Sequence, residues 1–230
     1  MIFLLLLSTT LIVPGWRVVG RGLAWWAGII ELLLNIIVKI KVEYRGLKNI
    51  PKEGPLVFSG KHESTMDALS SCKVFPEATA LAKSSLFFVP ILGQLINKMG
   101  LIPVVRGRGT AHKTLPNIAL FMTKTKRPLL VFPEGTRAKP GQLLPLKSGA
   151  YYIQKETKIP VYTGATNAGY FWPTRQFRMK SGTIIYEFHD SVKAGLTKKE
   201  FMVEIQERII GRSDALRIEA QNKDYLNRSI

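Results

Sequence analysis

Pro55-Leu-Val-Phe-Ser-Gly-Lys-His-Glu-Ser-Thr-Met-Asp-Ala-Leu-Ser-Ser-Cys-Lys-Val-Phe75 is a short apolar run, a glycine-led loop and a helical stretch in succession. Pro55–Ser59 reads as a strand that enters a loop at Gly60, and Met66–Phe75 reads as the helix that follows. The same alternation recurs outward in both directions. Strands are expected at Val42–Arg45, Ala78–Ala82, Leu101–Val105, Leu129–Phe132, Pro160–Thr163 and Thr183–Phe188. Helices are expected within Leu86–Met99, at Thr110–Thr123 with Thr110 as N-cap, at Lys147–Lys155 and at Lys198–Arg212, with Asp224–Ile230 as a polar tail. Strands alternating with helices imply an α/β fold whose mixed, mostly parallel sheet is flanked by helices. With no internal repeat and no linker after residue 45, residues 42–230 are expected to form one domain, large enough to bury a core.

Residues 1–41 differ from the rest. Met1–Val13 is nearly all apolar, Pro14-Gly15 breaks the run, and a second apolar stretch extends from Leu23 to about Ile40. A secretory signal fits poorly, because no Lys or Arg precedes the run and no small-x-small cleavage site follows it. A spanning helix needs roughly 20 apolar residues; the first stretch is too short, and the second carries Glu31 and Asn35 on one helical face. An acid at mid-bilayer costs about 2–3 kcal/mol. Arg17 and Arg21 before the stretch, with Lys39, Lys41 and Arg45 after it, give no positive-inside asymmetry. Trp16, Trp25 and Trp26 suit headgroup depth. The expectation is a membrane-associating two-helix anchor, lying in the interface or as a hairpin, with two helices that simply cover the core, or true spans, as the alternatives.

The chain carries 33 Lys+Arg against 16 Asp+Glu, a formal charge of +17. That excess favours an anionic partner: nucleic acid, an anionic lipid surface, an acidic carrier protein or a phosphorylated substrate. Charge alone does not choose among them. The single cysteine, Cys72, excludes an internal disulfide and a cysteine-built metal site.

Several chemistries are excluded by pattern. His62-Glu63 begins like a zinc-protease helix, but Met66 stands where the second His would fall. There is no Gly-x-Ser-x-Gly nucleophile elbow, and Gly107-Arg108-Gly109 lacks the ending of a phosphate-binding loop. His62, His112 and His189 are far apart with no carboxylate cluster, so no metal is expected. In His189-Asp190, at a strand end, adjacent side chains point to opposite faces, so His189 reads as a satisfied surface histidine.

Three constellations remain. In Lys61-His62-Glu63-Ser64-Thr65-Met66-Asp67, His and Asp are five positions apart and would not face each other within a regular helix, where they lie about 140° apart. With His62 on the loop and Asp67 on the first helical turn, Asp67 can accept from one ring nitrogen and leave the other free as a base. Alone, this spacing is more often a structural histidine. Phe132-Pro133-Glu134-Gly135-Thr136-Arg137 leaves the carboxyl end of an expected strand, where α/β folds place ligands. Gly135 permits a tight turn, Arg137 offers a planar fork for phosphate, and Glu134 could bind a hydroxyl or hold a basic neighbour. Gly100-Leu-Ile-Pro-Val-Val-Arg106, running into Gly107-Arg108-Gly109, could deliver arginines to an anion, or simply a solvated turn.

Together with Ile159-Pro160-Val161, these blocks resemble, in order and spacing, the four sequence blocks of the glycerolipid acyltransferases, with the closest likeness to the bacterial 1-acyl-sn-glycerol-3-phosphate (lysophosphatidic acid) acyltransferases. The likeness spans roughly residues 42–170. It implies that 42–230 is the catalytic domain, with His62 as general base and Asp67 as its orienting partner. The sn-2 hydroxyl of lysophosphatidic acid would attack an acyl thioester directly, without an acyl-enzyme, to give phosphatidic acid. Arg106, Glu134, Gly135, Thr136 and Arg137 would bind the acceptor, the arginines at its phosphate. Lys83 matches a basic position often found before the second block, and Lys147 and Gly149 precede the fourth. Ser84-Ser85 and Val104-Val105 depart from more polar residues common in the family, which leaves acceptor selectivity open. No cofactor is implied beyond acyl-CoA or acyl carrier protein as co-substrate, no nucleic acid is expected, and the place of work would be the cytoplasmic face of a bacterial inner membrane. Phe87-Phe88-Val89-Pro90 could line an acyl path or pack in the core. The alternatives are an acyltransferase for glycerol-3-phosphate or a lyso-aminolipid, or a non-catalytic basic module that binds membranes or nucleic acid.

Overall fold

The computed structural model describes residues 15–104, 111–174 and 176–228. Seven strands among them are β1 (Ile40–Arg45), β2 (Val57–Gly60), β3 (Thr79–Lys83), β4 (Ile102–Val104), β5 (Leu129–Val131), β6 (Val161–Thr166) and β7 (Gly182–Ser191). They form one sheet in the order β1-β7-β6-β2-β5-β3-β4. Every neighbouring pair is parallel except β6 and β7, so the mixed, mostly parallel sheet expected from the strand–helix alternation is present.

The helices are α1 (Trp16–Leu33), extended by a π-helical turn Leu34–Val38, then α2 (Met66–Val74), α3 (Leu92–Lys98), α4 (Ala111–Thr125), α5 (Gly149–Thr157), the single turn α6 (Ala168–Phe171), α7 (Lys198–Ile205) and α8 (Arg212–Arg228). The central strands are buried on both faces, which is why they read as unbroken apolar runs and not as alternating ones. Val57, Leu129, Val131 and Val161 pack with Leu115, Met122, Ile153 and Phe201 of α4, α5 and α7. On the opposite face Phe58 and Leu130 pack with Met66, Phe75 and Ile184.

At the carboxyl end of the chain the expectation needs correction. Thr197 caps α7 with a reciprocal capping box to Glu200, but the helical path does not stop near Arg212. It passes through a π-helical turn, Gln206–Gly211, into α8, so the residues read as a polar tail from Asp224 are helical to Arg228. Among the described side chains of α8, Leu216 and Ala220, four residues apart, are the buried apolar ones, and Tyr170 donates to Asp224 at 2.8 Å. Phe88 is 86% exposed, with Val89 and Pro90 also exposed, so that stretch is not core.

Of the expected two-helix anchor, Met1–Val13 lies outside the described residues. The second apolar stretch is one helix beginning at Trp16, and Trp16–Val38 is long and apolar enough, by length and composition, to cross a membrane. Val19, Ala27 and Leu34 face inward while Val18, Trp25, Leu32 and Ile36 are exposed. Glu31 points to the protein, where it accepts from Tyr44 Oη and Lys73 Nζ. Gly20 is needed for this close packing, since a Cβ there would lie 1.9 Å from the Pro76 carbonyl oxygen.

One buried cation ties α1 to the sheet. Arg127, 4% exposed, donates to the carbonyls of Glu77 (2.8 Å), Ala78 (3.1 Å) and Met99 (2.7 Å), and its guanidinium lies 4.1 Å from the Trp16 ring. Arg127→Ala strands three carbonyls and is expected to cost about 3 kcal/mol or more, measured as a shift of the urea midpoint without a change in slope.

Candidate active site

β2 and β5 are parallel neighbours, in register from Val57↔Leu129 to Ser59↔Val131. The loops that leave their carboxyl ends are therefore side by side. One is Lys61–Thr65, leading into α2; the other begins at Phe132 and carries Pro133–Arg137. Four contacts join them. The His62 backbone N–H donates to Glu134 Oε2 at 2.8 Å, and the His62 carbonyl accepts from Ala138 N at 2.8 Å. Lys61 Nζ donates to Glu134 Oε1 at 2.6 Å. The His62 ring stacks on Phe132 with centroids 4.1 Å apart.

Asp67, on the first turn of α2, reaches back over the loop. Its Oδ2 accepts from Glu63 N and Ser64 N, both at 2.7 Å, and lies 3.2 Å from His62 Nδ1. With the carboxylate as acceptor, Nδ1 carries the proton and Nε2 keeps its lone pair. The five-residue spacing works because the residues between are a turn organised by Asp67 itself. Asp67 is 2% exposed, and the His62 side chain keeps 12% of its surface open. A cavity of about 20 Å³, room for roughly one water, adjoins the pair and is lined by Lys61, Asp67, Phe132 and Tyr186 among others. It is too small for a lipid-sized molecule, and the exposed edge of the His62 ring is the open approach to the pair.

The other sequence-nominated residues divide. Glu134 is 5% exposed with both oxygens engaged by the His62 loop. Thr136 and Arg137 are exposed. Gly135 has φ of 68°, and the Lys147 side chain crosses it so closely that a Cβ would meet Nζ at 2.5 Å. Lys83 is exposed at the carboxyl end of β3, on the same edge of the sheet and two strands from β2. Arg106 lies outside the described residues. His189, on β7, contacts Thr163 Oγ1 at 3.1 Å and Glu187 Oε1 at 3.2 Å, as a satisfied histidine does. Among the described residues no three His, Cys, Asp or Glu side chains gather as a metal site.

Two features of the site were not read from the sequence. Lys61 was visible only as a basic neighbour of His62, because its partner is 73 positions away. Glu63 is buried, with Oε1 accepting from Gly169 N at 3.0 Å. Burial first, and then the charge of Asp67, push its carboxyl up to about 8.

A histidine whose Nδ1 faces a buried carboxylate, at the carboxyl edge of a mostly parallel α/β sheet, has the geometry that a general base requires. The family model described as Acyltransferase matches residues 41–167, more than half of the chain. The chain belongs to the Acyltransferase family. Over 160 residues it is 31% identical to the 1-acyl-sn-glycerol-3-phosphate acyltransferase of Pseudomonas aeruginosa, covering 69% of this chain and 62% of that one. Over 141 residues it is 35% identical to the Saccharomyces cerevisiae protein of the same name, covering 58% and 44%. The matched region thus spans less than two thirds of these relatives. The crystal structure of the 1-acyl-sn-glycerophosphate acyltransferase from Thermotoga maritima superposes with a TM-score of 0.70 at 20% identity, over 88% of this chain and 82% of that one, and so shares the fold.

Lys61→Met would leave Glu134 charged and unpaired in a site where its side chain is 0% exposed. The expected loss is about 3–5 kcal/mol, read by chemical denaturation, with Lys61→Met/Glu134→Gln recovering part of it. For Glu63, a folded value near 8 against 4.5 means that its contribution is complete below about 4.5 and lost as pH rises through 8. Glu63→Gln keeps the acceptor for Gly169 N–H and removes the titration. The difference in melting temperature, wild type minus variant, should fall between pH 5 and 9; a flat difference would refute the buried neutral acid.

Proposed function

We propose that this chain transfers an acyl group from an acyl thioester to the sn-2 hydroxyl of lysophosphatidic acid, forming phosphatidic acid. The observation that carries the reading is the His62–Asp67 pair: Nδ1 faces Asp67, Nε2 is left as the base, and the opposite loop holds the histidine from below. Membership of the Acyltransferase family and the names of the relatives support the acyl transfer and the acceptor; the thioester donor is part of the proposal.

His62 Nε2 takes the proton of the acceptor hydroxyl as its oxygen attacks the thioester carbon. Asp67 stabilises the imidazolium that forms, without itself being protonated or attacking. Collapse of the tetrahedral intermediate breaks the C–S bond, and His62 returns the proton to the leaving thiolate, so no acyl-enzyme forms. Arg137, exposed at the tip of the loop beside the base, is assigned to the acceptor phosphate. Thr136, Lys83 and Arg106 are assigned supporting contacts. Glu134 and Gly135 shape the loop, Glu134 by holding His62 and Gly135 by making room for Lys147. No metal or other cofactor is needed for these steps. An acceptor that resides in a bilayer requires an enzyme at its surface. The exposed apolar face of α1 and the +17 charge suit an anionic leaflet, at about 1 kcal/mol per nearby basic residue, as they would an acidic carrier protein.

His62→Ala is expected to lower acyl transfer by at least about 10²-fold while membrane sedimentation is unchanged; substantial residual transfer would remove the base assignment. For the acceptor, membranes carrying the protein receive labelled acyl-CoA or acyl carrier protein with lysophosphatidate, glycerol-3-phosphate or a lyso-aminolipid. Label should appear in phosphatidate, and its absence there would reject the favoured substrate.

A further inference from the structure

Asp67 has a partner that lies outside every motif of the sequence. The Tyr186 hydroxyl, from β7 and 119 positions along the chain, donates to Asp67 Oδ1 at 3.1 Å. Oδ2 is the oxygen that serves His62 and the two loop amides, so Tyr186 alone among the described contacts holds the other one. Tyr186 is 8% exposed and its ring is stacked on Tyr44, with centroids 5.8 Å apart. Tyr44 in turn donates to Glu31 on α1, and Lys73 closes the group by binding the other Glu31 oxygen and lying over the Tyr44 ring. With Oδ2 held by the loop amides, the bond to Oδ1 further restricts rotation of the Asp67 carboxylate, on whose orientation the His62 tautomer depends.

We propose that Tyr186 is a positioning residue for the His62–Asp67 pair, fixing the Asp67 carboxylate by a hydrogen bond to Oδ1 and moderating the negative charge that His62 experiences. Its ring packs on that of Tyr44, whose hydroxyl serves Glu31 and not Asp67. Burial and the adjacent Asp67 charge hold the Tyr186 phenol far above its ordinary value, so it remains a donor wherever the enzyme works. The other titratable groups against the pair are Glu63 on the same loop and the Lys61–Glu134 ion pair. The assignment of catalysis to His62 rests on the function proposed above; the placement of Tyr186 does not.

The sign of the effect follows from charge. A hydrogen bond to Asp67 draws negative charge away from His62, so its loss strengthens the pull on the imidazolium and raises the histidine pKa. Tyr186→Phe keeps the ring and the stack and removes only the donor. In full-length protein in micelles, the His62 ring is followed by NMR titration, assigned by its disappearance in His62→Gln. Its pKa should move up by about half a unit or more in Tyr186→Phe and stay in place in Tyr44→Phe. Replacing Tyr186 with 3-fluorotyrosine, a stronger donor of nearly the same size, should move it down, which provides the test should Tyr186→Phe fold poorly. In the acyl-transfer assay the acidic limb of the pH–rate profile should follow the same order, with kcat reduced about 5- to 10-fold in Tyr186→Phe and KM for the acceptor unchanged. A His62 pKa that does not respond to either change at position 186 would overturn the proposal, as would an equal shift from Tyr44→Phe. If the titrations shift while no acyl transfer is detected in the wild type, the positioning role stands and the assigned reaction falls.

Discussion

The carboxylate of Glu134 cannot be left alone. Its side chain has no exposed surface, and an isolated charge in such a place carries a desolvation cost of several kcal/mol. Lys61 meets that cost from one side and the His62 backbone N–H from the other. The consequence is geometric: the loop after β2 and the loop after β5 have one relative position in which this charge is satisfied, and in that position Phe132 lies under the His62 ring. A buried ion pair is a poor source of net stability, because an apolar pair of equal volume often does as well. Its value here lies in direction. An apolar contact would hold the loops together without specifying where the imidazole points.

The sheet makes this clasp possible and was largely legible in the sequence. All seven strands fell where short apolar runs bounded by Gly, Pro or charged residues were found; for the central strands the cause is burial on both faces, which favours unbroken apolar runs. The His–Asp and Phe-Pro-Glu-Gly-Thr-Arg blocks were legible for the same local reason. Their mutual arrangement was not, since it depends on β2 and β5 being neighbours, and nothing in either stretch specifies its neighbour. Glu134 illustrates the gap. As a residue in a loop it could have bound a hydroxyl or a base, and only a lysine 73 positions away decides between them. Tyr186 is harder still, because in sequence it is one more aromatic in a strand. The helical end of the chain was missed for a different reason: among the described side chains of α8 the buried apolar ones are Leu216 and Ala220, which do not register as an amphipathic pattern among so many charged residues.

The acid in the apolar amino-terminal stretch shows a similar limit. Glu31 argued against a clean bilayer crossing, and that argument treated the helix as isolated. In the fold, α1 has two unlike sides. Val19, Ala27 and Leu34 pack inward and Glu31 is satisfied by Tyr44 and Lys73 of the domain, whereas Val18, Trp25, Leu32 and Ile36 face out. The polar residue that made the segment a poor membrane helix makes it a good lid for this domain. It also brings the apolar surface of the chain within a few side chains of Asp67.

Three buried carboxyl groups, Glu63, Asp67 and Glu134, lie in the two loops and the first turn of α2, and each is satisfied differently. Glu63 is buried with one backbone donor on Oε1 and kept neutral below about 8. Glu134 is charged but neutralised at 2.6 Å by Lys61. Asp67 alone presents a negative charge to His62, and it does so through an oxygen already shared with two loop amides. The two other acids are thus accommodated by hydrophobic burial and by a buried lysine, and these are the parts of the site that no local motif announces.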